Sequence, residues 1–332
     1  MRRSVFARTM APILAFGLLA AGCSSGGPAS SSTTDAAKGY PKKSIKYILP
    51  FDAGGESDIT ARLQQKPLQD ILGTNVVVSY KPGAGGALGW SELTRTSPNG
   101  YTIMGSNLPH IILQPLLRAN AGYKTSDIKQ VYIFESTPNA LLVPADSPIK
   151  TLDDFIAAAK KDPGAMTVGG SGEDSANWIG TLDLGDKAGV KLTYTPFTGT
   201  GTAIPALLGN HVKALMTYTP QIAQLGDKVR AIAVAADKRM TSLPDVPTFK
   251  EQGFDIVDGA YRGVSVPKTT PDAIVQKLAA AFKKANSDPT LVQKFEKLGF
   301  VVENYGPTEA VQLTQEREAV YGPLLKKLKI IK

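Results

Sequence analysis

The chain has one cysteine, Cys23, and two histidines, His110 and His211, among 332 residues. A single cysteine excludes an intrachain disulfide, and no His/Cys cluster has the spacing of a zinc site. Neither histidine stands near a Ser or Cys motif of the nucleophile-elbow type, so each reads most simply as structural or exposed. No Gly-rich loop ends in Lys-Ser or Lys-Thr, which removes a P-loop. Gly83-Ala84-Gly85-Gly86-Ala87-Leu88-Gly89 has the glycines of a dinucleotide fingerprint, but its spacing is one residue off. No acidic residue follows at the required distance either, and a tight turn packed against a helix explains the glycines better. No cofactor and no metal are therefore expected. No apolar run reaches the length of about 20 residues that spans a bilayer. The nearest is 10–21, behind Arg2, Arg3 and Arg8, and this pattern reads as an export signal. A basic patch interleaved with aromatics is also missing: Lys326, Lys327, Lys329 and Lys332 form only a tail cluster, so nucleic acid is not an expected partner.

What is present is a globular composition, 42% hydrophobic and 20% charged, in a chain long enough for two domains. Formal net charge is +8; cleavage ahead of Cys23 removes Arg2, Arg3 and Arg8 and leaves +5. A mild positive balance favours anionic ligands or surfaces, though weakly. Leu19-Ala20-Ala21-Gly22-Cys23 looks like the end of a bacterial lipoprotein signal, with Ala20 where a Leu is usual. A non-lipidated signal peptide with an incidental cysteine is the alternative. Residues 1–22 are thus expected to be a signal peptide and 23–40 a lipid-anchored flexible linker, since 24–39 lacks core-forming residues.

From 41 onward, strand and helix patterns alternate, which argues for a mostly parallel α/β sheet. Strands are expected at 45–49, 75–79, 101–105, 131–134 and 140–143, the last two separated by Ser136-Thr137-Pro138. A second unit begins near Ser147-Pro148, with a helix at 152–161 capped by Thr151 and Asp154. Further strands fall at 166–169, 192–196, 214–218 and 231–235, and helices near 176–188, 271–286, 289–298 and 308–328.

The segment 45–62, IKYILPFDAGGESDITAR, carries the most information. A strand runs through Pro50 and the Gly54-Gly55 pair into a helix start. Such a start gathers unpaired N–H groups and the positive end of the helix dipole, and so suits an anion. A plain helix start capped by Ser57 or Asp58 explains the same residues. Three more polar turns end strands in a similar way: Ser106-Asn107, 171–177 and 198–201. Four such turns make an interdomain binding cleft the better expectation, because ligands of open α/β sheets sit beyond the carboxyl ends of the strands.

These residues resemble a family. PFDAGGESDITAR is similar to the PFxAGGxxDxxAR signature of the receptors of tripartite tricarboxylate transporters, the Bug-type extracytoplasmic solute-binding proteins. KPGAGGALGW at 81–90, SPNGYTIMGSN at 97–107, TPFTGTGTAIPALLGNHV at 195–212 and SLPDVPTFKEQGF at 242–254 resemble further motifs of that family, in order. The resemblance implies a two-domain α/β Venus-flytrap fold of the periplasmic-binding-protein type (type II-like) with two hinge crossings. Domain 1 would be 41–142 plus 262–332 and domain 2 would be 143–261. It implies a non-enzymatic receptor on the extracytoplasmic side that delivers a small organic acid to membrane permease subunits; an ABC-type solute-binding lipoprotein is the alternative. It points to Phe51, Ala53, Gly54, Gly55 and Asp58 in the first loop, with Asp58 ordering the turn. It points to Ser106, Ser171, Ser175, Thr198 and Gly199 in the other walls. The chain departs from the pattern at Trp178, where a His is common, and near Thr217, where an Asp is common. Asp52, Glu56, Glu173 and Asp174 add carboxylates beside the expected anion site, which would repel a polyanion unless they meet solvent or a cation. A zwitterion, a mono-acid or a metal-complexed acid is the ligand this suggests.

Overall fold

A computed structural model describes residues 37–51, 53–197 and 199–332; the export signal, Cys23, Asp52 and Thr198 lie outside the described residues. Among the described residues no helix is long and apolar enough to cross a membrane.

The first lobe begins with three parallel strands, β1 (Ile45–Leu49), β2 (Val76–Tyr80) and β3 (Thr102–Leu108), with β1 in the middle. Between them run α1 (Glu56–Leu72) and α2 (Ala87–Leu93), and α3 (His110–Leu117) follows β3. β4 (Ile128–Pro144) then crosses the molecule. The second lobe holds α4 (Leu152–Lys161), β5 (Thr167–Ser171), α5 (Ala176–Ala188), β6 (Thr193–Phe197), α6 (Thr200–Leu208), β7 (Ala214–Tyr218), α7 (Pro220–Leu225) and β8 (Val229–Val234). β9 (Gly259–Pro267) returns the chain, and α8 (Asp272–Asn286), α9 (Pro289–Lys297), β10 (Val301–Tyr305) and α10 (Pro307–Lys327) close it. Strand order is β2-β1-β3-β9-β4-β7-β5-β6, with β8 and β10 also paired to β4.

Two expectations fail here. The segment 131–143 is not two strands broken at Pro138. It is one 17-residue strand, which pairs with β9 up to Pro138 and with β7 and β8 beyond it. Proline lacks only its own donor, and Pro138 stands where the neighbouring strand changes. The sheet is also mixed: β9, β10, β7 and β8 all run antiparallel to a neighbour.

Helices cover both faces of the sheet. One core packs α1 and α8 on the first lobe, with Tyr47 meeting Phe282 edge-on at 6.1 Å. The opposite face gathers Trp90, Leu108, Ile112, Tyr321 and Leu325, and takes Trp178 and Ile179 of α5 into the same cluster. Two further cores fill the second lobe around Phe155 and Phe249, and around Leu207 and Leu215. The expected Thr151–Asp154 capping box on α4 is formed, and Ser175 caps α5 by accepting from the Trp178 N–H. On α1 the cap differs from expectation: Gly55 holds the N-cap position with no side-chain bond, and neither Ser57 nor Asp58 does.

Candidate functional site

The turn between β1 and α1 forms one jaw. Gly54 takes φ +84°, which glycine adopts freely. Its N–H donates to Asp58 Oδ2 at 2.8 Å; Tyr80 and Arg62 donate to Oδ1 at 2.7 and 3.2 Å. Burial would raise the Asp58 carboxyl, but these donors outweigh it and hold it below its ordinary value. Asp58 is thus engaged inside the turn. Ala53, Gly54 and Gly55 are exposed, and Asp58 N and Ile59 N donate to the Gly55 carbonyl. The N–H groups of the first turn ahead of them have no intrahelical acceptor. Phe51 packs edge-on against Trp90 at 6.0 Å and against His110 at 5.6 Å, and this ties the jaw to α2 and the start of α3.

The second jaw is the loop from β5 into α5. Asn177 accepts from the Ser171 N–H at 3.1 Å and the Ser171 hydroxyl at 2.5 Å, and donates to Asn139 Oδ1 at 3.0 Å. Asn139 in turn donates to the Ala176 carbonyl at 2.9 Å. The loop is therefore pinned to β4, the strand both lobes share. Gly180 permits that approach, since a Cβ there would meet Asn139 Nδ2 at 2.6 Å. Ser175 spends its hydroxyl on the cap and on the Gly172 carbonyl. Gly199 sits at the N-cap of α6.

Between the jaws lies a group that sequence reasoning missed. Arg262 on β9 stands in direct register with Asn107 on β3 and Glu135 on β4. Cross-strand neighbours in register point to one face. Arg262 Nη1 donates to Glu135 Oε1 at 3.1 Å and to Thr137 Oγ1 at 2.8 Å, while Nη2 donates to Glu56 Oε2 of the first jaw. The Tyr218 ring, at the end of β7, lies 5.8 Å from the guanidinium carbon. Burial drives Glu135 up to about 7 against the pull of Arg262. His110 keeps part of its surface open, yet its Nδ1 is shut from solvent; burial, then the nearby Arg262, push it down to about 4. Asn107 Oδ1, His110 Nδ1, Glu135 Oε2 and Arg262 Nε are all buried without a partner. Buried polar groups are rarely left so, and a ligand with its waters would satisfy them. The signal in the sequence was two opposite charges embedded in apolar strands, Glu135 after Val131–Phe134 and Arg262 before Val264.

Ser106, by contrast, is not brought to this group. Strand neighbours alternate in direction, and Ser106 donates its hydroxyl to Gln130 at 2.7 Å within the protein while Asn107 faces Arg262. The added carboxylates are answered as well. Glu56 meets Arg262, Asp174 meets Arg118 at 2.7 Å, and Glu173 is exposed. Repulsion from Glu56 and Asp174 therefore gives no ground for excluding a polyanion. Among the described residues no three His, Cys, Asp or Glu side chains gather as metal ligands would.

A cavity of about 770 Å³ lies elsewhere. It lies behind the same two strands, lined by Ser136, Pro138 and Tyr261, whose side chains alternate with Glu135, Thr137 and Arg262. The unpartnered polar atoms of the β3–β9–β4 row lie on the other face, so the front cleft is the candidate site.

The family model for the tripartite tricarboxylate transporter family receptor matches residues 60–330. The chain belongs to this family. Among curated relatives, the UPF0065 protein in the gbd 5′ region of Cupriavidus necator is 32% identical over 296 residues, 88% of this chain and 90% of that one. A TctC solute-binding protein from Polaromonas superposes with a TM-score of 0.75 at 30% identity, covering 87% of this chain and 99% of that one. MatC from Rhodopseudomonas palustris, solved with bound malate, gives 0.76 at 28% identity over 86% and 100%. The tripartite tricarboxylate receptors are periplasmic solute receptors and not enzymes, and their two-domain α/β fold is the one seen here.

Proposed function

We propose that this chain is an exported receptor that binds a small organic carboxylate between the β1–α1 turn and the β5–α5 loop and delivers it to the membrane subunits of a tripartite transporter. One observation carries the reading most: the unpartnered buried polar atoms of Asn107, His110, Glu135 and Arg262 sit beside two backbone turns suited to an anion. The malate found in MatC fits the same chemistry. Phe51, Ala53, Gly54 and Gly55 form the first wall in this reading, with Asp58 ordering it. Ser171, Ser175, Thr198 and Gly199 belong to the second. In this reading 41–142 with 262–332 form one lobe and 143–261 the other, and the change of strand partner at Pro138, opposite Gly259, supports crossings near those bounds. Residues 1–22 are the export signal, and Cys23 carries a lipid that holds the receptor at the extracytoplasmic membrane face, with 24–39 as tether ahead of Tyr40, which is buried in the core of the first lobe.

Calorimetry of the purified protein against acetate, succinate, malate, citrate, aspartate and benzoate tests this, with and without Mg²⁺. Saturable binding of at least one acid in metal-free buffer is the expected result. Failure of all of them at millimolar concentration contradicts the reading.

A further inference from the structure

The charge on Arg262 is already answered from inside the protein. Its side chain is 5% exposed, and two carboxylates flank it. They are held very differently. Glu135 is 0% exposed and is the cross-strand neighbour of Arg262, so it has nowhere to go. Glu56 is 23% exposed, stands in the first turn of α1 and reaches Arg262 across 206 residues of sequence. If it turns away it finds water and the positive end of the α1 dipole, so its release costs little.

The guanidinium edge also favours an incoming carboxylate over Glu56. Nη2 and Nε form one side of the planar fork, and a carboxylate can span that side with two parallel bonds. Glu56 is bonded only to Nη2, and the Nε–H is buried with no partner.

We propose that Glu56 is a built-in competitor for the ligand: in the unliganded protein it occupies, on Arg262, the place that a ligand carboxylate takes. This rests on the reading of the cleft as a carboxylate site. While Glu56 is docked, an arriving anion meets a guanidinium whose charge is cancelled. Once it is displaced, the ligand gains the full edge, Nε included. Return of Glu56 then helps to expel the ligand. Glu56 thereby sets affinity and preference, and it does so from within the jaw that holds the other end of the ligand.

Calorimetry of native protein and the Glu56→Gln variant against succinate, malate and citrate tests the proposal. Glu56→Gln keeps the size of the side chain and removes its charge. It should bind at least one of these acids about tenfold more tightly, as one charge-assisted bond is worth at least that factor. Glu56→Ala should gain as well. The gain should be larger for succinate than for its monoamide, which has one carboxylate fewer. It should vanish when Glu56→Gln is combined with the Glu135→Gln/Arg262→Gln pair, a combination that leaves no buried carboxylate without its cation. Equal or weaker binding by both Glu56 variants, with native protein binding normally, overturns this proposal alone. Absence of binding by native protein and variants alike overturns the carboxylate reading and the proposal with it.

Discussion

Arg118 at the end of α3 donates from Nε and Nη2 to one oxygen of Asp174, at 3.1 and 2.7 Å. Asp174 lies in the β5–α5 loop, in a left-handed conformation at φ +68°, with its side chain 6% exposed, whereas Arg118 is 42% exposed. The pair therefore joins the end of a first-lobe helix to the β5–α5 loop of the second lobe.

Removing the guanidinium leaves a buried carboxylate without its cation. Arg118→Ala should weaken carboxylate binding by up to about tenfold and lower stability by about 1 kcal/mol, at the low end for a lost buried partner because Arg118 is solvated. Asp174→Asn should do less harm, since Asn accepts the left-handed conformation and leaves no buried charge. Calorimetry and thermal melts check the order. A more damaging Asp174→Asn would contradict the account.

Trp178 is 8% exposed and packs with residues of both lobes. Trp178→Ala should cost about 3–5 kcal/mol, a fall in melting temperature of roughly 5–8 °C for a chain of this size. A change within 1–2 °C would show that the α5 contact with the first lobe contributes little.

Glu135 and His110 give opposite pH slopes. Glu135 is raised from 4.5 to about 7, so between those values the folded protein holds a proton that the unfolded chain has released, and its contribution falls as pH rises. His110 is lowered from 6.5 to about 4, so in that window the unfolded chain holds the extra proton, and its contribution rises with pH. Relative to native protein, Glu135→Gln should gain stability from pH 4.5 to 7 and His110→Gln should lose it from pH 4 to 6.5. Urea midpoints across that range read both slopes. Parallel curves for native and variant would contradict the assignment.

The proposed anchor depends on one atom, the Cys23 sulfur. Cys23→Ala should move the receptor from the membrane fraction to the soluble extracytoplasmic fraction and abolish incorporation of an alkynyl fatty acid. Continued labelling or unchanged membrane retention would contradict lipidation at Cys23.

The strand–turn–helix at 45–62 is legible in the sequence because a strand, two glycines and a helix start are all local features. The α5 start was legible for the same reason, whereas the cap role of Ser175 emerges only from the structure. The Arg262 group was not, because Glu56, Asn107, Glu135 and Arg262 come from four separate elements and meet only when the strands take their register. β4 reads as two strands for a related reason. Pro138 punctuates the chain locally, but its place where the partner strand changes is a tertiary fact. Ser106 and Asn107 are neighbours in one polar turn of the sequence, and only the direction of β3 decides which of them faces Arg262.

The most direct test is a crystal structure of the protein with the tightest-binding acid of the panel. One carboxylate should lie against the first turn of α1 and the β5–α5 loop, with a second at Arg262 Nε and Nη2 if the acid carries one. An acid lodged in the cavity behind β4 and β9, with the front cleft empty, would contradict the account.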